Sequence, residues 1–267
     1  MDVFQAVILA AIQGLTEFLP VSSSGHLVLP QTLFGWADQG LAFDVAVHVG
    51  SLLAVLWYFR TEVAGIVIDW FASVFGGAKN DNSRLGWMVI VATIPAVIGG
   101  LVFNDFIELN LRTGYVLATT TLVFGVILGV VDRYAQHTKN LADIGLRIAI
   151  IVGFAQAIAL IPGTSRSGIT ITAALMLGLN RSDSARFSFL LSMPIIAAAG
   201  SYKLLELIQS SVDVPWGLLF IGFAVSALTA YACIHVFMRW VERIGMMPFA
   251  IYRVALAGIL FAVLASA

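Results

Sequence analysis

Six apolar runs, each close to 20 residues long, constrain this chain more than any other feature of its sequence. An α-helix of about 20 apolar residues crosses a bilayer core that is about 30 Å thick. The runs therefore predict an all-α polytopic membrane protein with six transmembrane helices. A further stretch, 63–77, is shorter and contains Asp69, which favours an interfacial helix. The six runs are 41–59, 85–103, 113–131, 186–204, 216–238 and 247–266.

Composition excludes the other broad classes of protein. Only 11% of the residues are charged and 60% are hydrophobic, whereas a soluble domain carries about 25% charged residues. The net charge of −1 gives no electrostatic basis for binding nucleic acid. The first basic residue is Arg60, so the N-terminus lacks the positive start of a signal peptide. We therefore expect the mature protein to begin at residue 1.

The basic residues predict how the six spans are oriented. If the loop 60–84 is cytoplasmic, ten of the 14 basic residues lie on that side, and only Arg112 and Lys203 lie outside, which is a strong positive-inside bias. This orientation requires 1–36 to enter and leave the membrane from outside and 148–180 to do so from the cytoplasm. Each becomes a re-entrant helical hairpin, and both termini are extracytoplasmic. The ten are Arg60, Lys79, Arg84, Arg133, Lys139, Arg147, Arg181, Arg186, Arg239 and Arg243.

The two predicted hairpins are similar in sequence. Residues 13–25 and 156–168 each contain a Gln, then a Pro, then a Ser-rich turn that ends in Gly. Three predicted spans follow each hairpin, and this odd number gives the two halves opposite orientations. Broken helices in inverted repeats are a usual way to build a polar site inside a membrane. We therefore predict a single membrane domain with two inverted-topology repeats, about 1–131 and about 146–267.

The first hairpin tip carries Glu17, three consecutive serines at 22–24, and His26. Ionisable side chains at membrane depth are costly and usually functional. The alternative is an extracytoplasmic loop with a helix-capping serine. The grouping favours a catalytic site.

The second tip, 162–170, combines a Pro-Gly break with hydroxyl side chains and Arg166. The break exposes backbone N–H groups, and the next half-helix starts with its positive dipole end at the tip. With an arginine fork added, this pattern predicts a cradle for phosphate. The alternative is that Arg166 forms a structural ion pair with Glu17.

Three polar residues within the spans leave two interpretations each. Asp44 and His48 are four residues apart on one helix face, so they line the polar cavity or pair with each other. Arg253 in the last span contacts a phosphate or satisfies helix ends.

The runs 13–26 and 162–168 resemble the two signature motifs of the undecaprenyl-diphosphatase family, the bacitracin-resistance type of bacterial membrane phosphatase. The segment 248–253 is similar to the closing segment of that family, and the resemblance covers essentially the whole chain. The chain departs from some members at Gln13, where they have Glu, although the family pattern admits both. That substitution argues against a metal site with two carboxylates.

The resemblance implies hydrolysis of undecaprenyl diphosphate to undecaprenyl phosphate and phosphate, which recycles the lipid carrier for cell-wall polymers. It implies a multi-pass protein of the bacterial plasma membrane whose active site faces the extracytoplasmic side, and a divalent cation, Mg²⁺ or Ca²⁺, with Glu17 as its candidate ligand. A secondary transporter or lipid flippase is the alternative function. The candidate catalytic residues are Glu17, Ser23, His26 and Arg166. The candidate substrate-binding residues are Gln13, Ser22, Ser24, Gln156, Gly163, Thr164, Ser165, Ser167 and Thr170.

The sequence leaves the roles of the catalytic candidates open. His26 could attack phosphorus, or it could act as acid and base for a water molecule or for Ser23. Glu17 could orient the imidazole or bind the cation. Arg166 and the backbone N–H groups would stabilise the charge on the transferring phosphoryl group.

Overall fold

A computed structural model describes residues 1–37, 39–209 and 215–266 of the chain. These residues form eleven α-helices and one short 3₁₀ helix, and the described part of the chain contains no β-strand. The prediction of an all-α protein is therefore confirmed. The helices are α1 Val3–Thr16, α2 Ser23–Phe34, α3 Leu41–Tyr58, α4 Arg60–Val74, α5 Asp81–Asn110, α6 Gly114–Tyr134, α7 Leu146–Ile158, α8 Arg166–Met176, α9 Arg181–Gln209, α10 Trp216–Ile244 and α11 Met247–Ser266.

Six of these helices, α3, α5, α6, α9, α10 and α11, are long and apolar enough to cross a membrane. They coincide with the six predicted spans, so that prediction is confirmed. Several are longer than their apolar runs because the helix continues into residues beyond the run. At the start of α5, Asn80 caps the helix by accepting a hydrogen bond from the backbone N–H of Ser83 at 2.9 Å. The helix α4, which covers most of the predicted interfacial segment, has 15 residues.

Two pairs of short helices occupy the positions of the predicted hairpins. The helices α1, α2, α7 and α8 have 14, 12, 13 and 11 residues. At about 1.5 Å per residue, none of them reaches the roughly 30 Å of a bilayer core. The described structure therefore agrees with hairpins, while the side from which each enters the membrane stays a prediction.

Each hairpin packs against helices of the other half of the chain. In the first hairpin, α1 packs on α10 and α2 contacts α11. In the second, α7 packs on α5 and α8 packs on α6. The contact between α1 and α10 is so close that a Cβ atom on Gly14 would lie 2.6 Å from the backbone oxygen of Ser226. Small residues permit this kind of approach between membrane helices.

A buried ion pair joins the helix ends at the predicted cytoplasmic side. Asp132, at the end of α6, is 4% exposed and accepts hydrogen bonds from Nε and Nη2 of Arg181 at 2.6 and 3.2 Å. The backbone N–H of Met246 donates to the same carboxylate at 3.0 Å. Three connections of the chain, after α6, before α9 and before α11, are therefore held by one carboxylate.

Candidate active site

The two hairpin tips have the same local structure. Ser22 and Ser165 cap α2 and α8, and both have left-handed backbone angles, with φ of 75° and 68°. The hydroxyl of each accepts a hydrogen bond from the backbone N–H three residues later, on Gly25 or Gly168. Non-glycine residues in this region are strained and occur often at functional sites. The shared Ser-x-Ser-Gly pattern therefore encodes one geometry twice.

The carboxylate of Glu17 lies between the tips and is only 9% exposed. Its Oε1 accepts a hydrogen bond from Nη2 of Arg166 at 3.0 Å. Its Oε2 accepts from Nε2 of Gln13 at 2.9 Å and from the hydroxyl of Ser23 at 3.2 Å. A buried carboxylate needs such partners, and here they come from both halves of the chain.

The guanidinium of Arg166 is 14% exposed and lies 5.9 Å from the ring centre of Phe18. Besides Glu17, it contacts α9, because Nη1 donates to the backbone oxygen of Ser188 at 3.2 Å. The ion pair that the sequence analysis gave as the structural alternative is therefore present. The same arginine also lines a polar cavity, so the contact with Glu17 does not exclude a role in binding an anion.

That cavity has a volume of about 140 Å³ and lies between the two tips. It is large enough for a phosphate group and is lined mainly by hydroxyl and charged side chains. Four predicted substrate-binding residues and three of the four predicted catalytic residues line it. The lining residues are Glu17, Ser22, Ser23, Ser24, Ala159, Pro162, Gly163, Ser165 and Arg166.

A larger cavity of about 660 Å³ adjoins the same pair of charged residues, Glu17 and Arg166. Asp44 and His48 both line it, as one of the two interpretations expected. His48 approaches Glu17, with 4.0 Å between Nε2 and Oε2, and its Nδ1 donates to the backbone oxygen of Asp44 at 2.8 Å. Gln156 also lines this cavity. The cavity extends from Glu17 and Arg166 to Leu41, the first residue of α3, and to Arg112, just after α5.

His26 lies apart from the Glu17 carboxylate. Its Nδ1 donates to the backbone oxygen of Ser22 at 2.7 Å, which leaves Nε2 as an acceptor for the hydroxyl of Tyr252 at 2.6 Å. The His26 and Tyr252 rings are parallel, with centres 5.5 Å apart. His26 is not among the residues that line the cavity between the tips. The structure thus brings Glu17, Ser23 and Arg166 together and places His26 against α11.

Three of the remaining predicted binding residues support the tips from within the protein. The hydroxyl of Ser167 donates to the backbone oxygen of Leu19 at 2.8 Å and so ties one tip to the other. The hydroxyl of Thr170 is 2.7 Å from that of Ser188. The side chain of Thr164 is fully buried, and its hydroxyl has no hydrogen-bond partner among the described residues.

The sequence analysis missed several residues that shape this site. Ser188 contacts both Arg166 and Thr170, but nothing in the sequence around it distinguishes it from other small polar residues. Thr120 and Thr121 hold the second tip. The three consecutive threonines at 119–121 in an otherwise apolar run were a signal that could have identified them.

No group of three or more His, Cys, Asp or Glu residues in the described ranges could hold a metal ion by itself. Glu17 is the one carboxylate that lines the small cavity. Beside it, Oε1 of Gln13 is buried and lacks a hydrogen-bond partner in the described structure. A hard cation that takes most of its ligands from phosphate oxygens and water fits this donor set, because Mg²⁺ is commonly bound through one or two carboxylates and substrate phosphates.

Comparison with known proteins identifies the family of the chain. The model of the family described as "Bacitracin resistance protein BacA" matches residues 6–259. The chain belongs to the BacA family. The resemblance expected from the two motifs is therefore confirmed over almost the whole sequence.

Three proteins similar to this chain share one name. The chain is 59% identical to a protein of Teredinibacter turnerae named "Undecaprenyl-diphosphatase", over 98% of this chain and 99% of the relative. Proteins with the same name from Saccharophagus degradans and Hahella chejuensis are 56% and 54% identical. The alignment with the Saccharophagus degradans protein covers 98% of both chains, and that with the Hahella chejuensis protein covers 97% of this chain and 98% of the relative.

Proposed function

We propose that this protein hydrolyses undecaprenyl diphosphate to undecaprenyl phosphate and phosphate. The observation that carries the proposal is the meeting of Ser23, Glu17 and Arg166 at a small polar cavity between two helix N-termini. A hydroxyl that donates a hydrogen bond to a carboxylate can act as a nucleophile, and a neighbouring arginine can stabilise the charge on a phosphoryl group. The names of the three relatives support the same reaction.

In the proposed reaction, Ser23 is the nucleophile. Its oxygen attacks the terminal phosphorus, the bond from that phosphorus to the bridging oxygen breaks, and undecaprenyl phosphate leaves. The hydroxyl proton passes to Glu17, whose Oε2 is 3.2 Å away. Water then cleaves the phosphoserine and releases phosphate. Ser23 is preferred to His26 because Nε2 of His26 already accepts the Tyr252 hydroxyl.

Arg166 and the first turn of α8 stabilise the charge on the phosphoryl group. The first N–H groups of a helix have no partner within the helix, and its dipole is positive at that end. Arg166 is the first residue of α8, so its guanidinium and these N–H groups act on the same side of the cavity. Donors that are already oriented cost no reorganisation during the reaction.

We propose that a divalent cation binds together with the substrate, with Glu17 and Oε1 of Gln13 as the protein ligands. The cation would neutralise part of the diphosphate charge. A carboxylate and an amide oxygen alone form an incomplete shell, so tight binding requires the phosphate oxygens.

The active site is proposed to face the extracytoplasmic side of a bacterial plasma membrane. The larger cavity, which adjoins Glu17, is also lined by Arg112 and Lys203. These are the two basic residues that the positive-inside count places outside. The cavity therefore supports an opening on that side, where a prenyl tail can stay in the lipid while the diphosphate enters.

Phosphate release by the purified protein in detergent tests the function. We expect turnover of a prenyl diphosphate that depends on a divalent cation, and we expect Ser23→Ala to abolish it. Detergent micelles offer no second compartment, so turnover separates an enzyme from a transporter or lipid flippase. Binding of the lipid without release of phosphate would contradict the proposal.

A further inference from the structure

Arg253 is a buried cation for which the proposed reaction has so far no use. It lies in α11, and its side chain is fully buried, with an exposed fraction of 0%. It takes part in none of the ion pairs found among the described residues. Burying an arginine without a carboxylate is costly, and within a membrane protein it usually has a functional reason.

The guanidinium of Arg253 binds the turn of the second hairpin. Its Nη2 donates to the backbone oxygens of Gly163 and Thr164, both at 2.9 Å. Its Nε donates to the backbone oxygen of Thr121 in α6 at 3.2 Å. One side chain thus joins α11, α6 and the turn that precedes α8, and the carbonyls it binds belong to this turn and to the interior of α6.

Two threonines of α6 bind the same turn from the same side. The hydroxyl of Thr120 donates to the backbone oxygen of Pro162 at 2.5 Å, and that of Thr121 donates to Gly163 at 3.3 Å. Gly163 has a φ of 87°, and a Cβ atom there would lie 2.2 Å from the Thr120 hydroxyl. Only glycine fits this position, and the turn there places three consecutive carbonyls against α6 and α11.

The other side of this turn lines the cavity between the tips. In a trans peptide the C=O and N–H groups point in opposite directions, and the described chain contains no cis peptide bond. The carbonyl of Thr164 points at Arg253, so the N–H of Ser165 points away from it. The turn and the first residue of α8 line the cavity through Pro162, Gly163, Ser165 and Arg166.

Arg253 also lies against the first turn of α8. Its Nη1 would be 2.6 Å from a Cβ atom on Gly168, and this Nη1 has no hydrogen-bond partner in the described structure. The guanidinium therefore packs against the first turn of α8 as well as against the turn that precedes it. A shift of about 1 Å in reacting groups can cost about 10²-fold in rate.

We propose that Arg253 is a positioning residue for the phosphoryl transfer. It holds the carbonyls of Gly163 and Thr164 and thereby fixes the N-terminus of α8, and with it Arg166, against the phosphate. The inference rests on the proposed function. The helix α11 contributes no residue to the lining of the small cavity. The inference nevertheless gives this helix control over the geometry of that cavity.

The test compares kcat and KM for a prenyl diphosphate in detergent across Arg253→Lys, Thr121→Val and the double variant. Lysine keeps the charge but cannot reproduce the planar fork. We expect Arg253→Lys to lower kcat by about 10- to 100-fold with KM changed by less than about 3-fold. Thr121→Val should lower kcat less. The double variant should lose less than the product of the single losses, because both side chains hold the Gly163 carbonyl. Arg147→Lys, an exposed arginine on α7, is the matched control and should keep the wild-type kcat.

Several results would overturn the inference. A folded Arg253→Lys protein with wild-type kcat would do so, and so would a change confined to KM, which would indicate attraction of the substrate and not positioning. A kcat loss that matches the folded fraction, measured from thermal unfolding, would show a structural role alone. If Arg253→Lys does not fold, Thr121→Val decides, and an unchanged kcat there rejects the inference. Absence of turnover in the wild-type protein would instead contradict the proposed function.

Discussion

The pair of Arg166 and Glu17 allows a prediction that separates a catalytic role from a structural one. We consider Arg166→Lys and Arg166→Ala. The arginine makes two contacts, Nη2 to Glu17 at 3.0 Å and Nη1 to the backbone oxygen of Ser188 at 3.2 Å. Alanine removes both and leaves a carboxylate that is 9% exposed without its cation. Lysine keeps a charge for Glu17 but has no fork with which to reach both partners.

The contacts set the expected magnitudes. Removing one partner of a buried ion pair costs about 3–5 kcal/mol of stability, which is the expectation for Arg166→Ala. Losing one hydrogen bond to a charged donor costs about 1–3 kcal/mol, so Arg166→Lys should be the more stable variant. The loss of phosphatase rate is estimated separately from the loss of stability. Loss of one transition-state donor costs about 10²- to 10³-fold, so even the well-folded lysine variant should lose most of its rate.

The assay measures the melting temperature and the initial rate of phosphate release on the same detergent preparations. Arg147→Lys is again the matched control, since its side chain is exposed on α7. Full rate in Arg166→Lys would refute the proposal that the arginine fork stabilises the charge on the phosphoryl group. A rate that follows the folded fraction in both variants would show that Arg166 is only the structural partner of Glu17.

Four further predictions follow from the same structure. Ser23→Ala should lose at least about 10³-fold in rate at an unchanged melting temperature, whereas a retained rate would exclude the serine as nucleophile. His26→Ala should keep near wild-type turnover in folded protein, because the proposed reaction uses Ser23 and Glu17; a loss of about 10²-fold would instead show that the imidazole is an acid or base. Asp132→Ala should lower stability by about 3–5 kcal/mol and leave the rate per folded molecule unchanged; a lower rate at full stability would contradict this. A C-terminal reporter that fluoresces only in the cytoplasm should stay dark, and a bright signal would refute the predicted orientation.

Much of the fold could be predicted from the sequence because the bilayer imposes length and polarity on each span. For this reason the run 85–103 falls within α5, and the run 113–131 begins at the N-cap of α6 and ends inside that helix. The ends of the helices could not be read from hydropathy, since α5 begins where Asn80 caps it, before the apolar run starts. Caps depend on a few polar atoms, and a hydropathy pattern does not register them.

The candidate site was predictable in part, because its residues cluster in two short motifs. Glu17 and Arg166 are 149 residues apart, and the suggestion that they pair followed from the likeness of the two tips. The contact between His26 and Tyr252 could not be foreseen, since 226 residues separate them and no repeat relates them. The same holds for the contact of Arg253 with the second tip, where the sequence left two interpretations open.

The packing of each hairpin on the other half of the chain has a consequence for biosynthesis. The helix α1 ends at Thr16, but its partner α10 begins at Trp216. Translation proceeds at about 5–20 residues per second, so the ribosome needs roughly 10–40 s to deliver that partner. During this interval the polar tip of the first hairpin has neither α10 nor α11 to cover it. A nascent chain that stops before the last two helices therefore lacks the packing partners of both helices of its first hairpin.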